Sequence, residues 1–424
     1  MVSSHRKESL TVTAAPPAPL FDPFAPGFTD DPYPQYATLR EAAPVYEHPL
    51  GFWVLTRYED VSWLLRAGLS VEDRNVGDGP FKQLREQMGG EGPAMDGLSM
   101  LDRDPPDHTR LRRLVSKAFT PRAIHALQPR IAGLVDAMLD AAERQGQVDV
   151  VEALAFPLPF AVIAEMLGTP SADQDRIRQL SGTVVRSLEP VNDPDLVAAI
   201  MAADAELTEI AAGMIAWKRA NPADDLLTAL IQAEDDGDVL NDDELIAQTL
   251  LLYIAGHETT VNLIAGGTLA LLRHPDQLAL LRQDPALAPN AVEELLRYDS
   301  PVQASRRITL EPVEIGGAEI PAGAFVMASL ASANRDELFW GSDASELKLA
   351  RENARQHVSF GAGPHHCLGA SLARLEATTA LQRLASRFPG LALDGDVTWN
   401  GRINLRGPAH LPVTLTPLTE SDHT

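Results

Sequence analysis

The stretch "FGAGPHHCLGA", Phe360 to Ala370, holds the only cysteine in a chain of 424 residues, preceded by two histidines and set among glycines. A single cysteine excludes an internal disulfide. Zinc is a poor fit: His365, His366 and Cys367 are consecutive and cannot all point at one ion, and there is no partner cysteine. A cysteine nucleophile needs a base and an orienting group. Either histidine could stand nearby, but no local pattern of such enzymes is present. A buried structural cysteine would not need Gly361, Gly363 and Gly369 around it. From Leu368 the chain takes up helical spacing through Leu372, Leu375, Leu381 and Leu384. Cys367 therefore stands at a helix N-terminus, whose positive end favours a thiolate.

Working outward, the spacing of apolar residues predicts helices over 122–144, 197–220, 242–273, 275–283, 289–298 and 368–387. Strands are expected over 52–56, 312–320 and 324–330, with Gly316–Gly317 forming a hairpin turn. The fold class is mainly α with small β-sheets. Residues 1–20 contain no apolar run suited to a signal peptide and read as a flexible tail, leaving 21–424 as one domain. The composition, 45% hydrophobic and 22% charged, is that of a soluble globular protein. A net charge of −24 argues against nucleic acid and against an anionic membrane surface as partners. The glycine-rich segment 74–100 reads either as a surface loop or as a lid over a ligand pocket.

Three further segments carry polar residues where bulk packing does not ask for them. In "NDDELIAQTLLLYIAGHETTVNLIAGGTLALLRHP" (241–275), Asn241 and Glu244 form a capping box and Pro275 ends the run. The helix would be roughly 48 Å long and is apolar nearly all round, hence buried. An ionisable centre, Gly256 to Thr260, would cost about 3 kcal/mol in lipid, and no second span is present, so it is not a membrane segment. Gly256 beside hydroxyls permits a local opening of the backbone ladder, a feature of functional sites. Equally, Thr259 could bond back to a carbonyl and Glu258 could enter a salt bridge. In "APNAVEELLRYDSP" (288–301), Asn290 is expected to cap and Glu293 to close a capping box. That leaves Glu294 and Arg297 at i, i+3, a pair that contributes little when exposed. In "DPPDHTRLRRLVSKAF" (104–119), His108 and Arg112 share a helix face, either as a solvated basic surface or as donors for a carboxylate.

One reading of Cys367 uses a lone cysteine without a partner: an axial thiolate ligand to haem iron. Gly361 and Gly363 then let the loop turn tightly, and Gly369 removes a side chain that would strike a flat macrocycle. "FGAGPHHCLG" matches the F-G-x-G-x-H-x-C-x-G pattern, and the sequence resembles the cytochrome P-450 family of haem-thiolate monooxygenases in its soluble bacterial branch. "AGHETT" resembles the family's oxygen-activating helix, "EELLR" its E-x-x-R element, "DPPDHTRLRR" its haem-propionate helix and "SRRITLEPVEIGG" the segment after E-x-x-R. These occur in the family's order, and the similarity runs from about Phe21 to Leu418, including "FPLPFAVIAEMLGTP".

The resemblance implies a single-domain fold with haem b between a long central helix and the cysteine loop. It makes Cys367 the metal ligand, with Phe360, Gly361 and Gly369 against the cofactor. It assigns His108, Arg112, Arg307 and His365 to the propionates, Arg307 being preferred to Arg306 by its spacing from Gly316. Glu258 and Thr259 would deliver protons during cleavage of O2. Glu294 and Arg297 would be structural, and Leu251, Ile254, Ala255, Val302 and Gln303 would line a substrate pocket. The implied reaction inserts one atom of O2 into a C–H bond, by hydroxylation or epoxidation. Its substrate is a hydrophobic small molecule such as a macrolide or other polyketide, a steroid or terpenoid, or a fatty acid. No flavin or nicotinamide fingerprint is present, so electrons, ultimately from NAD(P)H, would come through a ferredoxin or flavodoxin-like partner. Arg110, Arg113, Lys117 and Arg355 would be either its basic dock or ordinary surface charge. A cytoplasmic monomer is expected. The alternatives are a peroxide-driven peroxygenase, which would more often have replaced the Glu258–Thr259 pair, and a non-catalytic haem-binding protein, which would lack it. The sequence departs from the family in "SDASELKLAR" (342–351), where a Pro-Asp-x-Phe pattern is lost and Leu347 takes the aromatic position. This leaves the third partner of Glu294 and Arg297 open.

Overall fold

The structure, a computed structural model, describes residues 20–87, 98–169, 171–189, 191, 193–235 and 237–416. Residues 1–19 of the expected tail, 88–97 of the glycine-rich segment and Leu418 lie outside the described residues. The fold is mainly helical, organised on one long helix, Asp242–Arg273. Its capping box forms as the sequence predicts: the Asn241 side chain accepts from the Glu244 amide, and the Glu244 carboxylate accepts from the Asn241 amide. Helices Pro157–Met166, Pro194–Ala220, Ala288–Tyr298 and Ala370–Arg387 pack around it. This explains why it is apolar on nearly every face: beyond its first turn, little of it is left to water. Among the described residues no helix is long and apolar enough to cross a membrane.

Two expectations need correction. The backbone ladder does not open at Gly256; the helix is continuous from Asp242 to Arg273. The Thr259 hydroxyl donates to the Ala255 carbonyl at 2.9 Å and Thr260 to that of Gly256 at 3.2 Å. A carbonyl has a second lone pair, so each hydroxyl is satisfied without displacing an amide. The helix expected over 122–144 is two, Pro121–Ala126 and Gln128–Glu143. Pro129, in the first turn of the second, has no N–H with which to continue the ladder of the first.

The sheets are small. The largest runs Val45–Glu47, Trp53–Leu55, Phe325–Ser329, Ala304–Ile308 in spatial order, the middle pair parallel. Val313–Ile315 and Ala318–Ile320 form the expected hairpin, with Gly316 and Gly317 both at positive φ.

Asn290 does not cap its helix, which begins at Ala288 with no side-chain cap. Its amide donates instead to the carbonyls of Leu349 and Arg351. Glu293 is likewise no capping-box member; it accepts from Arg355, His357 and Arg374. The larger signal was Pro289, which sets the first turn and shifts the start forward. Glu294 and Arg297 are fully buried, Nε to Oε2 at 2.7 Å. The open third partner is Arg351, whose Nε donates to Glu294 at 3.2 Å, joined by the Lys348 amide at 2.9 Å.

Removing one member of a buried ion pair leaves the other uncompensated. Glu294→Gln is expected to lower unfolding free energy by about 3–5 kcal/mol in a urea titration, with Arg297→Lys destabilising in the same direction. His257, buried between the rings of Phe156 and Phe160, has its pKa lowered to about 4, chiefly by burial. Its folded pKa lies below the unfolded value of 6.5, so the unfolded chain binds the proton first. Stability should therefore be lost as pH falls from 6.5 toward 4, with a slope of up to about 1.4 kcal/mol per pH unit from this group. Denaturation across that window should show the slope reduced in His257→Gln.

Candidate active site

The cysteine loop is shaped by two backbone positions. Gly361 and Gly363 have φ of +67° and +70°, the left-handed region that glycine enters without strain. A Cβ on Gly363 would also lie 2.5 Å from the carbonyl oxygen of Leu65, so only glycine lets the loop pack against helix Tyr58–Arg66. The turn is closed by the Cys367 amide donating to the Phe360 carbonyl at 2.9 Å. Cys367 is solvent-accessible, yet protein surrounds it closely enough that burial raises its thiol pKa. The amides of Gly369 and Ala370 and the guanidinium groups of Arg112 and Arg374 act the other way but do not overcome the burial. The helix N-terminus is therefore insufficient to make the free sulfur a thiolate. Gly369 would tolerate a Cβ as far as the protein is concerned, its nearest contact being the Cys367 sulfur at 3.9 Å.

The four residues assigned to an anion come from three distant elements. His108 and Arg112 lie on helix Asp107–Ala118, Arg307 on strand Ala304–Ile308 and His365 in the cysteine loop. The rings of His108 and His365 stand 4.0 Å apart. His108 is buried and its Nε2 has no hydrogen-bond partner. Arg307 is buried too, and among the described residues it forms no salt bridge; Nη1 donates to the Ser305 hydroxyl and the Arg306 carbonyl. Burial, then the neighbouring cations, lowers the pKa of His365 to about 3, and burial, then Arg306, lowers that of Arg307 to about 10. His108 shifts downward for the same reasons. Arg306, by contrast, pairs with Asp102 at 2.9 Å and Asp73 at 3.4 Å. Of the two adjacent arginines, Arg307 is the one left without a counter-charge. Arg112 reaches the carbonyl of His366 at 2.5 Å.

On the central helix, Ala255 is exposed while Leu251, Leu252 and Ile254 around it are buried. Thr259, one turn on, is half-buried. This helix therefore presents a short open stripe in the middle of an otherwise covered length. Glu258 is buried and pairs with Arg402, Nη1 to Oε1 at 2.5 Å. Burial raises its pKa and Arg402 opposes the rise. Of the other pocket candidates, Val302 is half-buried and bridges Leu405. Gln303 is only 1% exposed, with its amide donating to the Ser300 carbonyl. Sequence reasoning missed Arg402, which lies 144 residues beyond Glu258 in the chain; no local spacing could join the two. It also took Arg110, Lys117 and Arg355 as a possible free basic surface. Arg110 pairs with Asp238 and Glu244, Lys117 donates to the Glu234 carbonyl, and Arg355 pairs with Glu293.

Glu293 gathers the underside of the loop. Burial pushes its carboxyl upward, but hydrogen bonds from His357 and Arg374 outweigh it and hold the pKa at about 2. Arg374 also lies 4.5 Å over the ring of Phe360.

The sequence pattern of the family described as "Cytochrome P450" matches residues 52–397. The chain is 43% identical over 406 residues to "Cytochrome P450 107B1" of Saccharopolyspora erythraea, covering 92% of this chain and 96% of that protein. It is 42% identical over 405 residues to "Vitamin D(3) 25-hydroxylase" of Pseudonocardia autotrophica, covering 93% and 96%. Among solved structures, myxobacterial cytochrome P450 CYP267B1 in complex with myristic acid superposes with a TM-score of 0.85 at 37% identity, covering 93% of this chain and 99% of that one. With the cysteine loop, the unpaired Arg307 beside two histidines and the open stripe of the central helix in place, these similarities lead to one conclusion: the chain belongs to the cytochrome P450 family and is a monooxygenase.

Proposed function

We propose that the chain binds haem b through Cys367 and uses O2 to hydroxylate or epoxidise a hydrophobic small molecule. The observation that carries this is a cluster of donors without an anion: buried Arg307, which has no salt-bridge partner among the described residues, and buried His108, with an orphaned Nε2, beside half-buried His365. A buried guanidinium without a counter-charge is unfavourable, and burial together with that charge holds the two imidazoles neutral, unless an anion completes the site. The two propionates of haem supply that charge, and charge-assisted bonds to them are the strong kind. Cys367 would hold the iron, and Gly369 leaves room for a flat ring. When bound, the haem supplies the oxygen-activating redox chemistry.

The protein's own part is orientation, dryness and protons. Glu258 would take a proton from solvent, and the hydroxyl of Thr259 would hand it on at the open stripe beside Ala255. The buried leucines and isoleucine flanking that stripe favour an apolar substrate over a charged one. The relative named for vitamin D(3) and the neighbour holding myristic acid support a steroid-like or fatty-acid substrate, with macrolides the next class to test. Electrons would reach the site from a separate ferredoxin or flavodoxin-like partner. The presence of both Glu258 and Thr259 favours O2 chemistry over a peroxide-driven reaction.

The reduced protein with carbon monoxide should show the red-shifted Soret band of a thiolate-bound haem. Cys367→Ser should lose that band and monooxygenase turnover together; an unchanged spectrum would refute the assignment. Thr259→Ala should leave spectral substrate binding within about twofold and divert most reductant to hydrogen peroxide, a loss of roughly 10²-fold or less in product formation, the lower range for a proton-transfer group.

A further inference from the structure

The carboxylate of Glu189 follows the short turn Val185–Leu188, in the connection between helices Ser171–Val184 and Pro194–Ala220. It accepts hydrogen bonds from three successive backbone amides: Ile403 at 2.9 Å, Asn404 at 2.9 and 3.2 Å, and Leu405 at 2.8 Å. The residue before them, Arg402, holds Glu258. One carboxylate thus anchors the loop that presents a guanidinium to another. The loop is pressed on the central helix as well. Asn262, one turn beyond Glu258, donates to the Leu405 carbonyl at 3.2 Å, and a Cβ at Gly407 would run into the Asn262 amide group. Within the loop, Asn400 receives the Arg402 amide and donates to Leu405.

We propose that Arg402 is a positioning residue for proton delivery, and that Glu189 couples its placement to the seating of the turn over residues 185–189. This rests on the reading of Glu258 as a proton carrier. The contact between Arg402 and Glu258 is made through one nitrogen and one oxygen, and the buried Nε of Arg402 has no partner. A single-point contact fixes the carboxylate against rotation less firmly than the two-point fork that arginine can form. It opposes the effect of burial on Glu258 and aims the carboxylate, yet lets it separate to take up a proton. The three amides on Glu189 form the stronger grip, since an ionised acceptor shared by several N–H donors is charge-assisted at each one. Lifting the 185–189 turn withdraws that acceptor, frees residues 403–405 and moves Arg402 with them. The acid is then aimed only while that turn is seated.

The test uses the haem-loaded full chain with vitamin D(3) as the probe compound. Amide hydrogen exchange at 403–405 and the fraction of reductant recovered as hydrogen peroxide are the readouts. Arg402→Gln should raise the peroxide fraction at least fivefold while spectral binding of the probe stays within twofold, and Arg402→Lys should restore most of the difference. Glu189→Gln should speed exchange at 403–405 at least tenfold and raise the peroxide fraction similarly. The double variant should be no worse than the worse single one, as expected for residues on one path. A wild-type peroxide fraction in Arg402→Gln, or additive effects in the double variant, would overturn the inference. Glu258→Gln separates the two levels. If it too leaves the peroxide fraction unchanged, the proton-carrier reading has failed; if it raises that fraction while Arg402→Gln does not, only the role of Arg402 has.

Discussion

The structure around the cysteine depends on one buried guanidinium. Arg297 has five N–H donors and uses all of them: Nε and Nη2 reach the two oxygens of Glu294, Nη2 also reaches the Glu346 carbonyl, and Nη1 reaches the carbonyls of Asn334 and Ala344. A charge at zero exposure is tolerable only with such complete satisfaction. Asn334 then passes the order onward. Its side chain accepts from the Val358 amide and donates to the hydroxyls of Ser300 and Ser359. Val358 and Ser359 lead directly into Phe360 and the turn that ends at Cys367. The rigidity of the loop is therefore imported from a helix about seventy residues earlier in the chain, not generated by the loop itself.

Around that frame the charges are sorted by what completes them. Arg306 and Arg307 are neighbours on one strand and point into different surroundings, as alternation along a strand requires. One finds Asp73 and Asp102; the other finds no salt-bridge partner among the described residues. Glu293 and Glu294 are adjacent on one helix and serve different partners, the first the cysteine loop and its following helix, the second Arg297 and Arg351. A protein with a net charge of −24 thus keeps a local excess of positive charge where an anionic group would be held.

Much of this was legible in the sequence because it is local or periodic. The central helix, its capping box and the Gly316–Gly317 hairpin follow from spacing and turn chemistry alone. The cysteine loop could be read because its glycines have a steric meaning that survives without neighbours. What was not legible depends on long-range contact. Asn290 and Glu293 have the right spacing for a capping box, yet each has stronger partners elsewhere, in the 349–357 segment and at Arg374. Gly256 promised an opened ladder, but the hydroxyls next to it find carbonyl lone pairs that were already available. Arg402 and Glu189 carry no motif at all, and their importance appears only once the chain has folded back on itself.

The raised pKa of the Cys367 thiol has a consequence for the chain before its cofactor arrives. A sulfhydryl kept protonated at neutral pH is a weak nucleophile and is slow to meet oxidants or alkylating agents. On the proposed reading, in which Cys367 holds the haem iron, the surroundings that raise the thiol pKa would also spare the sulfur, and its proton would leave only in exchange for the bond to the metal. Newly made polypeptide could then wait for its prosthetic group with that sulfur intact.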